Sequence, residues 1–227
     1  VYSRNVNKVK KLVHNYNTGI DNQVINFTET SAGGGYIREG DSMGDVYITK
    51  VLKRDARGAI AVAADGSLSS MDLPNGERLR IGNTNPDFTL GWRNNISWKG
   101  LNLSFLINAR VGGIVTSETQ AVLDQFGVSK ATADARDRGY VEVAGGQRVD
   151  PQKYYEVVAN QQLLGYYYYS ATNVRLQNVS LTYTLPKTLL GQGWPGITVG
   201  FIANNLWMIY NKAPFDPEIA ASTGTYG

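Results

Sequence analysis

Two stretches of eleven residues, separated by only two, constrain the fold of this chain more than any other feature. In residues 88–98 the apolar side chains occupy every second position with Asn94 as the one interruption. In residues 101–111 an apolar side chain fills every second position, and Leu106 is the one large apolar residue between them. Side chains of a strand alternate between two faces, whereas this spacing would spread apolar groups around the whole circumference of a helix. The pattern therefore predicts a β-hairpin with Lys99-Gly100 as its connection.

The length of the two arms bears on the kind of sheet that they form. Eleven residues at ~3.3 Å per residue span roughly 36 Å. With a strand tilt of ~40° they rise about 28 Å, close to the ~25 Å apolar band of an outer-membrane barrel, whereas strands of soluble proteins usually have about 5–6 residues. The polar face suits a watery lumen, but a soluble sandwich would turn the same face to bulk water. Periodicity alone leaves both architectures open.

A second alternating pair lies nearer the C-terminus. Residues 179–185 and 197–203 alternate apolar and polar side chains, and a Pro- and Gly-rich connection separates them. Trp207 and Tyr210 follow and suit an interfacial aromatic girdle, although core or rim aromatics of a soluble protein explain them as well. We expect a second hairpin here.

The connection between the hairpins, residues 112–164, is long and predicts its own structure. Ser117 and Gln120 form a capping-box pattern that predicts a helix ending near Gly127. Residues Ser129 to Arg138 predict a second short helix, which Gly139 ends. Short turns at one end and a long loop at the other are typical of outer-membrane barrels.

The region before residue 88 is less regular. It predicts a strand over residues 4–13 with a basic face, a strand over residues 47–52, and loops at Asp65-Gly66 and Asn75-Gly76.

Composition excludes several classes of function. The chain has no Cys and a single His, His14, which leaves no thiol chemistry, no multi-His metal site and little basis for a His-dependent triad. The net charge of +3 is too small to indicate a nucleic-acid binder. Asp216 and Glu218 flank Pro217, and we interpret them as a turn or surface loop rather than a catalytic pair. We therefore predict a protein that is not an enzyme, with no catalytic residues, metal site or cofactor.

A series of motifs carries a resemblance to a known family. In chain order they are Ile81-Gly82-Asn83-Thr84-Asn85-Pro86-Asp87-Phe88, Gly91-Trp92-Arg93-Asn94-Asn95, Leu103-Ser104-Phe105 with Asn108-Ala109-Arg110 and Gly112-Gly113, Val174-Arg175-Leu176-Gln177-Asn178-Val179-Ser180-Leu181 with Tyr183-Thr184-Leu185-Pro186, and Asn204-Asn205-Leu206 followed by Phe215-Asp216-Pro217-Glu218. In this order and spacing they resemble the C-terminal barrel strands of SusC/RagA-type TonB-dependent outer-membrane transporters. The resemblance covers most of the chain from Gly40 onward.

This resemblance implies an all-β fold of antiparallel transmembrane β-barrel strands, a partial barrel, with long loops bearing short helices. We expect residues 1–227 to be the C-terminal part of one β-barrel domain from which the plug domain and the final strand are absent, so that the chain is a fragment. The implied localisation is the outer membrane of a Gram-negative bacterium, as a multi-pass barrel. The implied function is TonB-dependent import of glycan or oligopeptide nutrients. The implied partners are a SusD-type surface lipoprotein, the TonB complex through the missing N-terminal part, the glycan or peptide substrate and membrane lipid, but no nucleic acid.

The candidate ligand-binding residues are polar side chains on the face opposite the apolar one. They are Arg93, Asn95, Asn108, Arg110, Arg175 and Gln177. Alternation turns the first four toward the lumen of a barrel, while a phase slip near Gln177 predicts a bulge there. The alternative for each of them is to form part of a solvated barrel wall, or of a wall that supports the plug, without binding a ligand. For the whole chain, the alternative is a soluble all-β carbohydrate-binding module, in which the apolar face packs on a second sheet.

Overall fold

The computed structural model describes residues 1–12, 16–17, 24–25, 29–32, 35–186, 188 and 196–218. These residues form two compact units. The sheet unit contains the described residues of 1–6, 85–114 and 170–219, and the helical unit contains those of 7–84 and 115–169.

The described secondary structure is dominated by strands. In chain order the strands are β1 (Tyr2–Ser3), β2 (Tyr16–Asn17), β3 (Val24–Ile25), β4 (Glu29–Ala32), β5 (Gly35–Arg38), β6 (Asp45–Ile48), β7 (Lys50–Leu52), β8 (Ser70–Asp72), β9 (Leu79–Asn83), β10 (Phe88–Trp98), β11 (Leu101–Val111), β12 (Ile114–Thr116), β13 (Val141–Val143), β14 (Gln147–Val149), β15 (Tyr168–Ser170), β16 (Asn173–Thr184) and β17 (Thr198–Asn211). The α-helices are α1 (Glu118–Gln125), α2 (Lys130–Arg138) and α3 (Pro151–Val158), and 3-10 turns cover Pro74–Gly76 and Gln161–Tyr167. Among the described residues, no helix is both long and apolar enough to cross a membrane.

The sheet unit is one five-stranded antiparallel sheet in the order β1-β10-β11-β16-β17. Strands β10 and β11 have the bounds that the alternation predicts, and they pair over their whole length from Phe88↔Val111 to Trp98↔Leu101. Over the residues described, the sheet is open: β1 and β17 form its two edges. The predicted antiparallel all-β fold is therefore confirmed, as an open sheet of long strands.

Both predicted hairpin strands near the C-terminus are present but longer than the alternation indicates. β16 begins at Asn173 and β17 continues to Asn211, so Trp207 and Tyr210 lie within a strand. The pairing shifts register between β11 and β16 at Leu106/Ile107 and between β16 and β17 near Leu176/Asn178, which is the predicted irregularity near Gln177. Most of the connection predicted between these strands lies outside the described residues.

The turn between β10 and β11 explains why the hairpin forms here. Lys99 and Gly100 have φ of 44° and 86°. Two consecutive positive φ values produce the mirror-image turn that matches the twist of a two-residue hairpin. A side chain on Gly100 would also meet the backbone oxygen of Thr184 at 2.8 Å. Glycine is required at this position for both reasons.

The helical unit is held together by an apolar core drawn from its loops, short strands and helices. The buried members are Leu52, Ile60, Leu68, Ala121, Val143, Val149, Val158, Ala159, Leu163 and Tyr167. Both predicted helices are present. Ser117 caps α1 by accepting from Gln120 N at 3.1 Å, and α2 ends at Gly139 with φ 83°. The reciprocal bond of a capping box is replaced, since Ser117 N donates to Tyr167 O and the Gln120 amide donates to Asp124.

Two predictions for the region before residue 88 need correction. Residues 4–12 are not a strand: Val9 exchanges backbone hydrogen bonds with Gly40 and Asp41, but no continuous ladder follows. Val13, the last residue of that prediction, lies outside the described residues. Residues 47–52 are divided between two strands at Thr49, because β6 pairs with β9 whereas β7 pairs with β8.

Candidate functional site

The register of the sheet separates an apolar face from a polar face. Cα partners lie on the same face, and the apolar rows run straight across four strands, as in Ile96–Leu103–Leu181–Phe201. The opposite face carries the rows Gly91–Asn108–Arg175 and Asn95–Ser104–Ser180. We call the two surfaces the apolar face and the polar face.

Five of the six predicted site residues share the polar face. Asn108 is the direct Cα partner of Arg175, and Arg110 is the partner of Asn173 in the next row. Arg93 and Asn95 lie on the same face nearer the Lys99-Gly100 turn, opposite Leu106 and Ser104. The structure thus brings Asn108, Arg110 and Arg175 together at one end and leaves Arg93 and Asn95 further along the sheet.

Gln177 differs from the other five. It has no Cα partner in either adjacent strand of the described sheet, because the pairing passes from Leu176 to Asn178 on both sides. It is the extra residue of a β-bulge. Its half-buried side chain is therefore not assigned to a face by the register.

Arg175 is the center of a buried ionic network. Its residue is 5% exposed, and its Nη2 lies 2.7 Å from Asp216 Oδ1 and 3.4 Å from Glu218 Oε2. Its Nε donates to Asn173 Oδ1 at 3.3 Å, and the fully buried Asn173 amide donates to Ala171 O at 3.1 Å. Removing one partner of a buried pair leaves the other charge uncompensated, which is expensive. The network therefore fastens the segment after β17 to the polar face.

Asp216, Glu218 and Asn173 belong to this site but are not among the six residues that the sequence predicts. The Asp216–Glu218 segment was expected to be a turn, and Glu218 N does donate to Asp216 Oδ1 at 3.0 Å, as in an Asx-type turn. Their role as counter-charges to Arg175 depends on a contact across 41 residues. No local pattern in the sequence signals that contact.

Of the predicted site residues, Arg93 and Asn95 lie in the exposed part of the polar face. Within the described residues neither side chain makes an ion pair or hydrogen bond, so both can donate to a solute. Arg175 already uses its guanidinium on two carboxylates. Arg93 and Asn95 are therefore exposed hydrogen-bond donors, whereas Arg175 is buried in an ion-pair network.

The helical unit has a charged cluster of its own around Asp45. The Asp45 carboxylate accepts from Arg80 Nη2 and Asn83 Nδ2, both at 2.7 Å, and from Ser42 N at 3.0 Å. Burial raises the pKa of Asp45, but these hydrogen bonds and the Arg80 charge outweigh it, so the pKa lies below the ordinary 3.8. Burial and the Asp41 carboxylate, to which the Tyr47 hydroxyl donates, raise the pKa of Tyr47 to about 12.

The described residues contain no group of three or more His, Cys, Asp or Glu side chains that could hold a metal ion.

A sequence relative of this chain is found among known proteins. No family model matches the chain. The "TonB-dependent receptor P3" of Formosa agariphila is 27% identical over 233 residues, which cover 96% of this chain and 22% of the receptor. The chain thus spans about a fifth of the length of this relative.

Solved structures of the RagAB peptide importer resemble the fold of this chain. A structure of the RagAB peptide transporter matches with a TM-score of 0.56 and 20% identity, over 85% of this chain and 22% of that chain. The RagAB peptide importer in its "open-open" state matches with a TM-score of 0.54 and 22% identity, over 85% and 22%. In its "closed-closed" state it matches with a TM-score of 0.54 and 20% identity, over 86% and 23%. The predicted resemblance to SusC/RagA-type TonB-dependent outer-membrane transporters is thereby confirmed, with the fold of this chain being that of part of the RagAB importer.

Proposed function

We propose that this chain is a piece of the barrel wall and extracellular loops of a TonB-dependent importer in the outer membrane of a Gram-negative bacterium. The importer carries glycan or oligopeptide nutrients and performs no chemistry on them. The relatives are named as a TonB-dependent receptor and as a peptide importer, which supports import as the general activity.

The exposure of the apolar face is the observation that carries the proposal. Trp98 is 65% exposed, Phe201 63% and Val199 62%, and each belongs to the apolar face. A soluble protein rarely exposes a contiguous apolar surface across four strands. Hydrocarbon tails are the solvent in which such a face is stable.

The dimensions of the face support the same environment. The row of Leu90 and Tyr210 lies eight residues along β10 from the row of Trp98 and Tyr183. At ~3.4 Å per residue and a tilt of ~40°, these aromatic-bearing rows are about 21 Å apart along the membrane normal. Girdles of aromatic residues flank an apolar band of ~25 Å in outer-membrane barrels.

The alternative, a soluble carbohydrate-binding module, requires a second layer over the apolar face. In the described part of the chain the exposed Trp92, Ile96 and Phe201 have no such cover. Purification tests this alternative. If the chain is monomeric without detergent and unfolds cooperatively, the soluble module is correct and the importer is not.

The proposed partners follow from the same relatives. A SusD-type surface lipoprotein would cover the extracellular side, and the TonB complex would supply energy through parts of the protein outside this chain. The RagAB importer has been solved in "open-open" and "closed-closed" states, which is compatible with a lid. Copurification of a lipoprotein with the tagged full-length protein tests the first partner.

Uptake by cells tests the proposed function. A strain that lacks the protein is complemented with the wild type, and uptake of labelled glycans and oligopeptides is measured with and without TonB. We expect uptake of one class to require both proteins. Uptake that persists without TonB would contradict the proposal.

Substitutions on the polar face test the role of its exposed donors in uptake. Arg93→Ala and Asn95→Ala should weaken uptake several-fold at limiting substrate while leaving the amount of folded protein unchanged, because both side chains are exposed donors. Ser97→Ala, on the same face of the same strand, is the control. Equal uptake by all three variants would mean that Arg93 and Asn95 do not bind the substrate and only form part of the barrel wall.

A further inference from the structure

A cavity of about 240 Å³ lies in the helical unit where α1, α2 and α3 meet. Its lining includes Asp124, Phe126, Arg136, Tyr155 and Glu156. A dry cavity of ~150 Å³ already accepts benzene, so this one has room for a larger organic group.

Asp124 is the unusual residue of the lining. Asp124 is only 6% exposed, and its two hydrogen-bond donors are both neutral: the Gln120 amide at 2.8 Å and the Tyr167 hydroxyl at 3.1 Å. Within the described residues, no Lys or Arg nitrogen lies within 4 Å of it. A carboxylate offers about four acceptor sites, of which two are used here. A buried charge of this kind is stabilised by a cation.

One of the three helix ends around the cavity, the C-terminal end of α1, adds to the negative potential. Asp124 lies in the last turn of α1, where the helix dipole is negative. The N-termini of α2 and α3 also approach the cavity, but they are capped by the side chains of Ser129 and Asp150. Neither of those helix ends is therefore vacant for an anion.

The walls favour a cation as well. Phe126 is 74% exposed, and the half-buried Tyr155 contributes a second aromatic ring to the lining. Aromatic faces attract ammonium groups. Glu156 adds a second carboxylate, and Arg136, whose guanidinium donates to Gly127 O, adds one positive charge, so the ionisable side chains of the lining keep a net charge of −1.

We propose that this cavity binds a primary ammonium group, such as the amine of a lysyl side chain in a peptide. Asp124 accepts from the ammonium, and the rings of Phe126 and Tyr155 enclose its methylene stem. Two of the three N–H donors of an ammonium can occupy the two unused acceptor sites of the carboxylate. This site is separate from the polar face, and its occupancy does not depend on transport.

Calorimetric titration of the purified full-length protein tests the site. The probes are N-acetyl-lysine methylamide and its neutral counterpart N-acetyl-norleucine methylamide. We expect heat of binding with the lysine compound only, and an affinity weakened at least about tenfold in Asp124→Asn. Glu142→Gln removes the same charge from an exposed position on β13 and should bind like the wild type. Equal affinity of Asp124→Asn and wild type, or equal binding of the two probes, would overturn the proposal.

A second variant covers the case in which Asp124→Asn does not fold. Tyr155→Leu keeps the carboxylate and removes one aromatic wall, for which we expect a roughly threefold loss of affinity for the lysine probe. Thermal unfolding of each variant is recorded first. If only Tyr155→Leu is folded, unchanged affinity in that variant overturns the proposal. Uptake through the importer is not part of the readout, so failure here leaves the proposed function standing.

Discussion

Arginine substitutions at Phe105, Leu103 and Leu101 place a charge at three heights on the apolar face of β11. All three positions lie on the same face of the same strand. Phe105 is four residues from the Leu90–Ala109 row and four from the Trp98–Leu101 row, so it occupies the middle of the band. Leu103 is about 5 Å from the middle along the membrane normal, and Leu101 about 10 Å.

The expected loss of stability follows from these heights. Arginine on a lipid-facing strand costs ~2–4 kcal/mol at the midplane and ~0–1 kcal/mol at the interface. We therefore expect about 2–4 kcal/mol at Phe105, about 1–2.5 at Leu103 and at most about 1 at Leu101. Each variant is compared with alanine at the same position, because Phe105 also loses its ring contact with Trp92 at a centroid distance of 5.5 Å.

Reversible urea unfolding of the full-length protein in phospholipid vesicles measures these differences. Ser104→Arg is the matched control, since Ser104 lies between Phe105 and Leu103 on the polar face. Its cost should stay within about 0.5 kcal/mol. A flat profile over the three heights, or a Ser104→Arg cost equal to that of Leu103→Arg, would refute the assignment of the apolar face to lipid.

Three further predictions concern the ion-pair network of Arg175, the charged cluster around Asp45 and the Lys99-Gly100 turn. Arg175→Met should lower the free energy of unfolding by about 2–3 kcal/mol, because it leaves the half-buried carboxylates of Asp216 and Glu218 without their counter-charge. Arg93→Met should change the free energy of unfolding by less than about 0.5 kcal/mol. Equal effects of the two variants would contradict a stabilising role of the ion-pair network. Because the pKa of Asp45 is lowered on folding, its contribution is present above pH 3.8 and is lost as the pH falls through the folded value. Asp45→Asn should thus cost about 1–2 kcal/mol at pH 7 and less at pH 3 in urea titrations, while a constant difference would refute the cause given. Gly100→Ala should destabilise by about 1–2 kcal/mol in the same assay, since φ is +86° and the new Cβ meets a backbone oxygen at 2.8 Å, and an unchanged midpoint would count against this turn.

How much of the fold the sequence predicts depends on the range of the interactions involved. β10 and β11 match their predicted bounds because a two-residue period over eleven residues admits one register around a tight turn. α1 and α2 were predicted because their caps are local, at Ser117 and Ser129. Helix α3 also begins with a local signal, the capping side chain of Asp150 followed by Pro151, although no helix is predicted there above.

The remaining errors come from interactions that distant residues determine. β17 continues past Asn204-Asn205, where Asn205 has φ 50°, because pairing with β16 resumes on the other side of the irregularity. Residues 4–12 have the composition of a strand but find only isolated backbone partners. The ion pairs of Arg175 join segments that the alternation treats as unrelated. That all six predicted site residues bind ligand stays a prediction.

Spin-label accessibility along β11 tests the central claim most directly. The chain contains no cysteine, so a single cysteine at each of residues 101–106 carries the one nitroxide within it. Any cysteine elsewhere in the full-length protein is first replaced by serine. In the full-length protein in lipid, we predict that oxygen, which concentrates in hydrocarbon, relaxes the labels at 101, 103 and 105, and that a water-soluble nickel complex relaxes those at 102, 104 and 106. Labels at 101, 103 and 105 that neither reagent reaches would mean that protein covers the apolar face, and the account would be contradicted.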